Sequence, residues 1–160
     1  MARLELVRAD HADALLAFER ENREYFAAVI PDRGDDYFAQ FAARHAQLLE
    51  RQDAGTDYFH VVVTESGEIL GRVNLVEVEN GSAELGYRIA RDAAGQGLAT
   101  GAVAEIRELA KTAYGLTALR AKVTLDNPAS HRVLERNGFV ATGELLLNGK
   151  LAVTYLCEVG

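Results

Sequence analysis

Three glycines, Gly95, Gly97 and Gly101, punctuate the stretch Ala94-Gly95-Gln96-Gly97-Leu98-Ala99-Thr100-Gly101, between a strand-like run, Glu84 to Ala90, and a long helical pattern. Backbone free of side chains can curl so that several N–H groups converge on one anion, while the helix that follows adds the positive end of its dipole. The chemistry this spacing points to is the grip on a diphosphate, through Gly95, Gln96, Gly97, Leu98, Ala99 and Thr100. An ordinary tight turn is the competing reading of the same glycines.

Two nucleotide-binding alternatives fail on context. A dinucleotide fold places its glycines in the first strand-to-helix unit with an acidic residue about 20 positions on. Here the glycines lie past mid-chain, and Leu119, Arg120 and Ala121 stand where the carboxylate belongs. No Lys-Ser or Lys-Thr pair follows the glycines, so a P-loop is excluded as well.

The residues that could move protons lie on either side of this turn. Glu84 stands in the otherwise apolar stretch Ala83 to Tyr87, and a carboxylate partly withdrawn from water suits proton uptake from an ammonium near neutral pH. A solvated strand glutamate is the alternative. Ser130 sits in the first turn of a later helix, where it either does chemistry or only satisfies backbone N–H groups. His11, His45, His60 and His131 lack the spacing of zinc ligands, so no metal site is expected. Cys157, the single cysteine, excludes an internal disulfide and reads as a small buried residue of a terminal strand.

The elements that must position these residues follow from period and punctuation. Leu4 and Leu6 alternate as a short strand, Asp10 can cap a helix bearing Leu15 and Phe18, and a charged stretch, Glu19 to Glu24, follows. Beyond Pro31 and Gly34, Asp35 opens a helix in which Phe38, Phe41, Ala42, His45, Leu48 and Leu49 return every three or four residues. The period then shortens to strand: Tyr58 to Thr64, Ile69 to Glu79 and Ser82 to Ala90, joined by Ser66-Gly67 and Asn80-Gly81 turns as an antiparallel meander. A helix from about Gly97 to Tyr114, a strand from Leu119 to Leu125, a helix capped by Asn127 with Pro128 at its first position, and a hairpin, Phe139 to Leu147 and Leu151 to Glu158, complete the order. The class is α/β with a mixed, mostly antiparallel sheet and about four flanking helices.

That order, with the glycine turn after the fourth strand and Asn127, Ser130, Gly138 and Phe139 matching N-x-x-[A/S] with a later G-F, resembles the GNAT acetyltransferase superfamily over essentially the whole length. Glu84-Leu85-Gly86-Tyr87, Ser130 and Asn22-Arg23-Glu24 bring the resemblance nearest to the ribosomal-protein-alanine N-acetyltransferase type. Two departures stand out: Ala94 replaces the usual Arg or Gln that opens the phosphate loop, and Leu134 replaces the tyrosine that protonates the thiolate in a common variant. The resemblance implies acetyl-CoA as cosubstrate and a sheet splayed between its fourth and fifth strands, at about Gly86 to Ile89 and Leu119 to Leu125. It implies that Tyr87, Arg88 and Ile89 bond the pantetheine arm, with an N–H near Tyr87 or Arg88 polarising the thioester. It further implies a cofactor contact from Asn127 and a thiolate contact from Ser130, with Arg91, Thr100, Arg132 or Arg136 adding charge at the phosphates. Glu84, directly or through a water, is the candidate base.

At 160 residues, with 49% hydrophobic residues, two prolines and a net charge of −7, the chain fits one domain over residues 1–160 and not a general nucleic-acid surface. No signal peptide or membrane span is visible, so the cytoplasm is the expected location and no membrane partner is expected. The expected partners are acetyl-CoA and an amine acceptor, with a homodimer as a further option. The expected reaction is acetyl transfer to a primary amine, with a protein N-terminus as the leading acceptor. A small-molecule amine and a non-catalytic CoA sensor are the alternatives.

Overall fold

Alternation in the sequence sets the sheet and decides which residues meet on each of its faces. The computed structural model describes residues 2–160. Its strands are β1 Ala2–Leu6, β2 Tyr58–Thr64, β3 Ile69–Glu79, β4 Ser82–Ile89, β5 Ala118–Thr124, β6 Val140–Leu147 and β7 Lys150–Glu158. They form one sheet in the order β1-β2-β3-β4-β5-β7-β6, and among these strands only β4 and β5 run parallel. Both Asn-Gly turns are of the type that needs two positive φ angles, 53° and 76° at Asn80-Gly81 and 52° and 79° at Asn148-Gly149.

Six α-helices flank the sheet: α1 Ala12–Glu21, α2 Arg23–Ala27, α3 Asp35–Ala39, α4 Phe41–Asp53, α5 Leu98–Thr112 and α6 Pro128–Arg136. About four were expected. The charged stretch after Phe18 continues α1 and then forms α2, and the run from Asp35 breaks at Gln40, with φ −110° and ψ 25°. The break lets Tyr37 and Phe41 both face the interior, their rings edge to face at 5.6 Å.

Two cores result, one on each face of the sheet. Val62, Val73, Leu75, Leu85 and Leu119 pack beneath Val103 and Ile106 of α5 and Leu134 of α6, together with the buried Cys157. Val61 and Val63, on the other side of the same strand, pack with Leu15, Phe18, Phe41 and Leu48 of α1 and α4. Ala83 and Leu85 of β4 are buried on the α5 side, so Glu84, Gly86 and Arg88 take the opposite face.

The parallel pairing is short. It joins Ser82 to Ala118, Ala83 to Leu119 and Glu84 to Arg120, and stops. β4 continues along β3 to Ile89 while β5 follows β7 to Thr124, so a gap opens between them. The expected splay is present, but Leu119 and Arg120 remain paired and β5 diverges only from Ala121.

Candidate functional site

The glycine turn joins β4 to α5. Gly95 and Gly97 both have φ of 75°, in the left-handed region that favours glycine, and a Cβ at either would meet no atom within 4 Å. The first helical bond of α5 runs from the Gly101 N–H to the Gly97 carbonyl at 3.1 Å. The amides from Gly97 to Thr100 are therefore the unpaired donors of a helix start. Asn137 ties this turn to α6, its Nδ2 donating to the carbonyls of Thr100 (3.2 Å) and Val133 (2.9 Å). Gln96 turns its amide back to the Asp92 carbonyl at 3.3 Å. Ala94, Arg91, Arg132 and Arg136 are all exposed. The residues present fit a diphosphate held by main-chain amides.

The gap between β4 and β5 offers a second set of free backbone groups. The Ala90 N–H donates to the Leu70 carbonyl at 2.8 Å. Counting back in twos, Arg88, Gly86 and Glu84 bond β3, Leu85 N–H closes the short ladder to Arg120, and the N–H and C=O of Tyr87 and Ile89 face the gap. An extended arm laid there would bond as an added strand. This phase separates Tyr87 from Arg88: the Arg88 amide is turned toward β3, and only the Tyr87 N–H is free to meet a carbonyl in the gap.

At the mouth of the gap, the Tyr87 hydroxyl and Ser130 Oγ are 2.8 Å apart. Burial pushes the Tyr87 phenol above its ordinary value, with the Ser130 bond pulling the other way, so the ring keeps its proton at neutral pH. Asn127 caps α6 as its sequence position implies, Oδ1 accepting the Ser130 N–H at 3.4 Å. The neighbouring His131 bridges the Thr124 carbonyl and the Tyr155 hydroxyl, at 3.0 and 2.6 Å. A carbonyl only accepts, so Nε2 carries the proton and Nδ1 accepts from Tyr155. That pair fixes α6 to the end of β5.

On the opposite face of β4, Glu84, Gly86 and Arg88 stand in a row, beside Val76, Asn74 and Arg72 of β3. Gly86 is exposed, and a Cβ there would meet nothing within 4 Å, so space opens above it. Lys122 Nζ lies 3.1 Å and Arg120 3.9 Å from Glu84 Oε1. The ammonium is at ion-pair distance but outside hydrogen-bonding geometry. Glu84 Oε1 is shielded from water with Lys122 as its ion-pair partner, and Asn74 Oδ1, likewise shielded, has no hydrogen-bond partner. An amine entering the space above Gly86 would reach the Glu84 carboxylate only by displacing the Lys122 ammonium, 3.1 Å from Oε1, from its place over that oxygen.

The far end of the row is cationic. Glu19, 1% exposed, receives Arg33 (3.1 Å), Arg72 (3.0 Å) and Arg88 (3.0 Å). Burial works to raise its carboxyl, yet the charges of Arg33, Arg72 and Arg88 outweigh it and hold Glu19 below the usual carboxylate range. Replacing Glu19 with glutamine would leave three guanidiniums crowded without a counter-charge. We expect a loss of about 3–5 kcal/mol in urea unfolding, the usual result of stripping one partner from a buried pair; a parent-like midpoint would show that the arginines re-solvate at no cost.

Sequence reasoning missed Asn74, Glu19, Arg33, Arg72 and Lys122. One signal was present: Arg72 and Asn74 interrupt the otherwise apolar run of β3, on the face shared with Glu84. The stretch Asn22-Arg23-Glu24 divides on folding. Asn22 is buried, its Oδ1 accepting the Arg91 N–H at 2.9 Å, Arg23 pairs with Asp32 and Asp35, and Glu24 stays exposed. Among the described residues no cluster of three or more His, Cys, Asp or Glu could hold a metal, and no helix is long and apolar enough to cross a membrane.

A fold with a splayed β4–β5 pair and a glycine turn opening α5 is that of an acyl carrier's transferase, and the family model for the acetyltransferase (GNAT) domain matches residues 3–140. The chain belongs to the GNAT acetyltransferase family. Among curated relatives it is 29% identical over 146 residues to the probable N-acetyltransferase YjcK of Bacillus subtilis (strain 168), covering 88% of this chain and 81% of that one. It is 34% identical over 89 residues to the uncharacterized N-acetyltransferase p20 of Bacillus licheniformis, a match spanning 54% of this chain and only 50% of that relative's length. Solved structures that share the fold include the following three. A ribosomal-protein-S5-alanine acetyltransferase from Vibrio fischeri superposes with TM-score 0.91 at 23% identity, over 98% of this chain and 92% of that one. RimJ of Mycobacterium smegmatis, in complex with CoA-disulfide, gives 0.87 at 23%, over 98% and 81%. A chimera of the spermidine N-acetyltransferase SpeG from Vibrio cholerae and hSSAT gives 0.83 at 19%, over 99% and 95%.

Proposed function

We propose that the chain transfers acetyl from acetyl-CoA to the N-terminal α-amine of a peptide or protein. What carries this reading is the space above Gly86, with Glu84 and Asn74 on the same face of the sheet and the gap beneath it. It also continues onto a stretch of sheet where Lys122, Leu156 (36% exposed) and Val140 (67% exposed) are uncovered. A groove that runs on in this way suits a chain better than a small closed ligand. Fold neighbours named for ribosomal-protein and for spermidine acetylation both occur, so a polyamine is the second reading.

Acetyl-CoA, when bound, supplies the thioester; the protein supplies position and protons. Glu84 Oε1 and Asn74 Oδ1 orient the amine, and Glu84 takes its proton. The free Tyr87 N–H polarises the carbonyl. Ser130 O–H gives its proton to the departing sulfur and takes one from the Tyr87 hydroxyl, which is reprotonated from solvent before the next turnover, a two-step relay in place of the tyrosine that Leu134 displaces. Leu134, 1% exposed, is core.

Thiol release from acetyl-CoA, followed with N-terminal peptides, spermidine and free amino acids, tests the reading. Peptides should be the best acceptors. A melting shift with acetyl-CoA but no thiol with any amine would reduce the site to a sensor. Ser130→Ala and Tyr87→Phe should each lower kcat about 10²-fold with little change in acetyl-CoA affinity, and the double variant should lose little more than either single one. Full additivity would break the relay.

A further inference from the structure

We propose that the acceptor carries a carboxylate within its first few residues, and that the arginines beside Gly86 read it. The inference rests on the amine-acetylating reading above and adds the chemical class of the substrate. At the far end of the Glu84-Gly86-Arg88 row, Arg33, Arg72 and Arg88 share the single carboxylate of Glu19. Among the described residues these three arginines form no ion pair with any acid but Glu19. Asp32 is taken by Arg23, through both oxygens at 3.0 and 2.8 Å, and Asp35 is held by the same guanidinium at 2.9 Å.

The surplus is visible in the side chains themselves. Arg72 is 5% exposed, yet its Nε has no partner. Arg88 and Arg33 also stack on Phe26 and Tyr37, at 4.7 and 4.6 Å, which holds the two guanidiniums in place at the cluster. Burial, aided by repulsion from Arg33, lowers Arg88 to about 10 against the pull of Glu19. Part of Arg33 remains exposed at the rim. This concentration of positive charge stands out in a chain whose net charge is −7.

The spacing of the two ends sets the kind of acceptor. Glu84 and Arg88 are four strand positions apart, about 13 Å along β4. An extended peptide advances about 3.3–3.6 Å per residue. An amine at Glu84 therefore brings the side chains of the second to fourth residues toward the arginines, whereas the carboxylate of a free amino acid falls short. A polyamine would meet like charge there.

The test uses C-terminally amidated tetrapeptides with a free N-terminus, Ala-Ala-Glu-Glu, Ala-Ala-Gln-Gln and Ala-Ala-Lys-Lys, with free glutamate and spermidine alongside. In the parent we expect kcat/KM for the acidic peptide to exceed that for the neutral one by about tenfold or more, chiefly through KM, with the basic peptide last. Arg33→Gln should erase most of that ratio and Arg33→Lys should restore part of it, with melting temperatures confirming that both are folded. Equal use of acidic and neutral peptides, or a ratio untouched in Arg33→Gln, overturns the proposal while leaving amine acetylation in place. Free glutamate as the best acceptor overturns the peptide assignment. If no amine releases thiol, the enzymatic reading has failed, and calorimetric binding of the acidic against the neutral peptide decides this proposal; equal affinities end it.

Discussion

Gly97→Val is expected to weaken acetyl-CoA binding by about two orders of magnitude. Gly97 is the left-handed residue immediately before α5, at φ 75°. A β-branched side chain held there costs about 1–3 kcal/mol, and relief by rotation out of the region would turn the amides of Gly97 and Leu98 away from a common focus. Each charge-assisted bond lost to a phosphate removes about 1.5–3 kcal/mol more, so a combined deficit near 3 kcal/mol, about 10²-fold, is a modest expectation. The effect should be larger here than in a relative with a cation at the loop's first position, because Ala94 offers none. Gly101→Ala is the control. Gly101 lies inside α5, has no positive φ, and a Cβ there meets nothing within 4 Å, so alanine should raise helix stability by up to about 1 kcal/mol and preserve binding. Calorimetric titration of both folded variants decides the matter. A parent-like Kd for Gly97→Val would mean that the turn only reverses the chain.

How much of this was legible in the sequence depended on whether the signal was local. Asn80-Gly81 and Asn148-Gly149 dictate their hairpins because two successive positive φ angles suit few other pairs. Asn127-Pro128 fixes the start of α6 for a similar reason: the asparagine accepts from an early helical N–H, and proline occupies a position with no N–H to lose. The phase of β4 was only half legible: the apolar stretch Ala83 to Tyr87 singles out Glu84, but which of its neighbours are buried beneath α5 is decided by packing. The cluster around Glu19 was not legible. Its members come from α1, the loop before α3, β3 and β4, and no spacing rule links Glu19 to Arg33, Arg72 and Arg88 before those elements pack. Within its own helix Glu19 looks like a residue of a solvated charged stretch. Asn74 was hidden differently: an asparagine in a strand signals a local irregularity, and only its place across from Gly86 turns its unpartnered oxygen into a candidate contact. The division between Tyr87 and Arg88 required the hydrogen-bond phase against β3, which one bond from Ala90 to Leu70 supplies and composition cannot.

The same face holds the second large effect. Glu84→Gln should lower kcat at pH 7 by about 10²–10³-fold, the usual contribution of a positioned base, and leave the acetyl-CoA Kd nearly unchanged because the cofactor's bonds come from the glycine turn and the backbone of the gap. Glutamine keeps an oxygen for orienting an amine but cannot carry its proton away. The pH dependence separates that loss from a merely structural one. An α-amine has an ordinary pKa near 7.7–8.0, so at pH 7 most of the acceptor arrives as ammonium and needs a base, whereas at pH 9 the solvent has already removed the proton. The deficit of the variant should therefore shrink as pH rises from 7 to 9. A deficit of constant size would assign Glu84 to positioning, and no deficit at all would remove it from the reaction. Lys122 sharpens the comparison. Its ammonium, 3.1 Å from Oε1, lies where an incoming amine must share the carboxylate, so Lys122→Gln should lower the acceptor KM by removing a competitor, the opposite direction from Glu84→Gln. If both substitutions instead raised KM together, the ion pair would be holding the strands in place, and the proton would have to leave by another route.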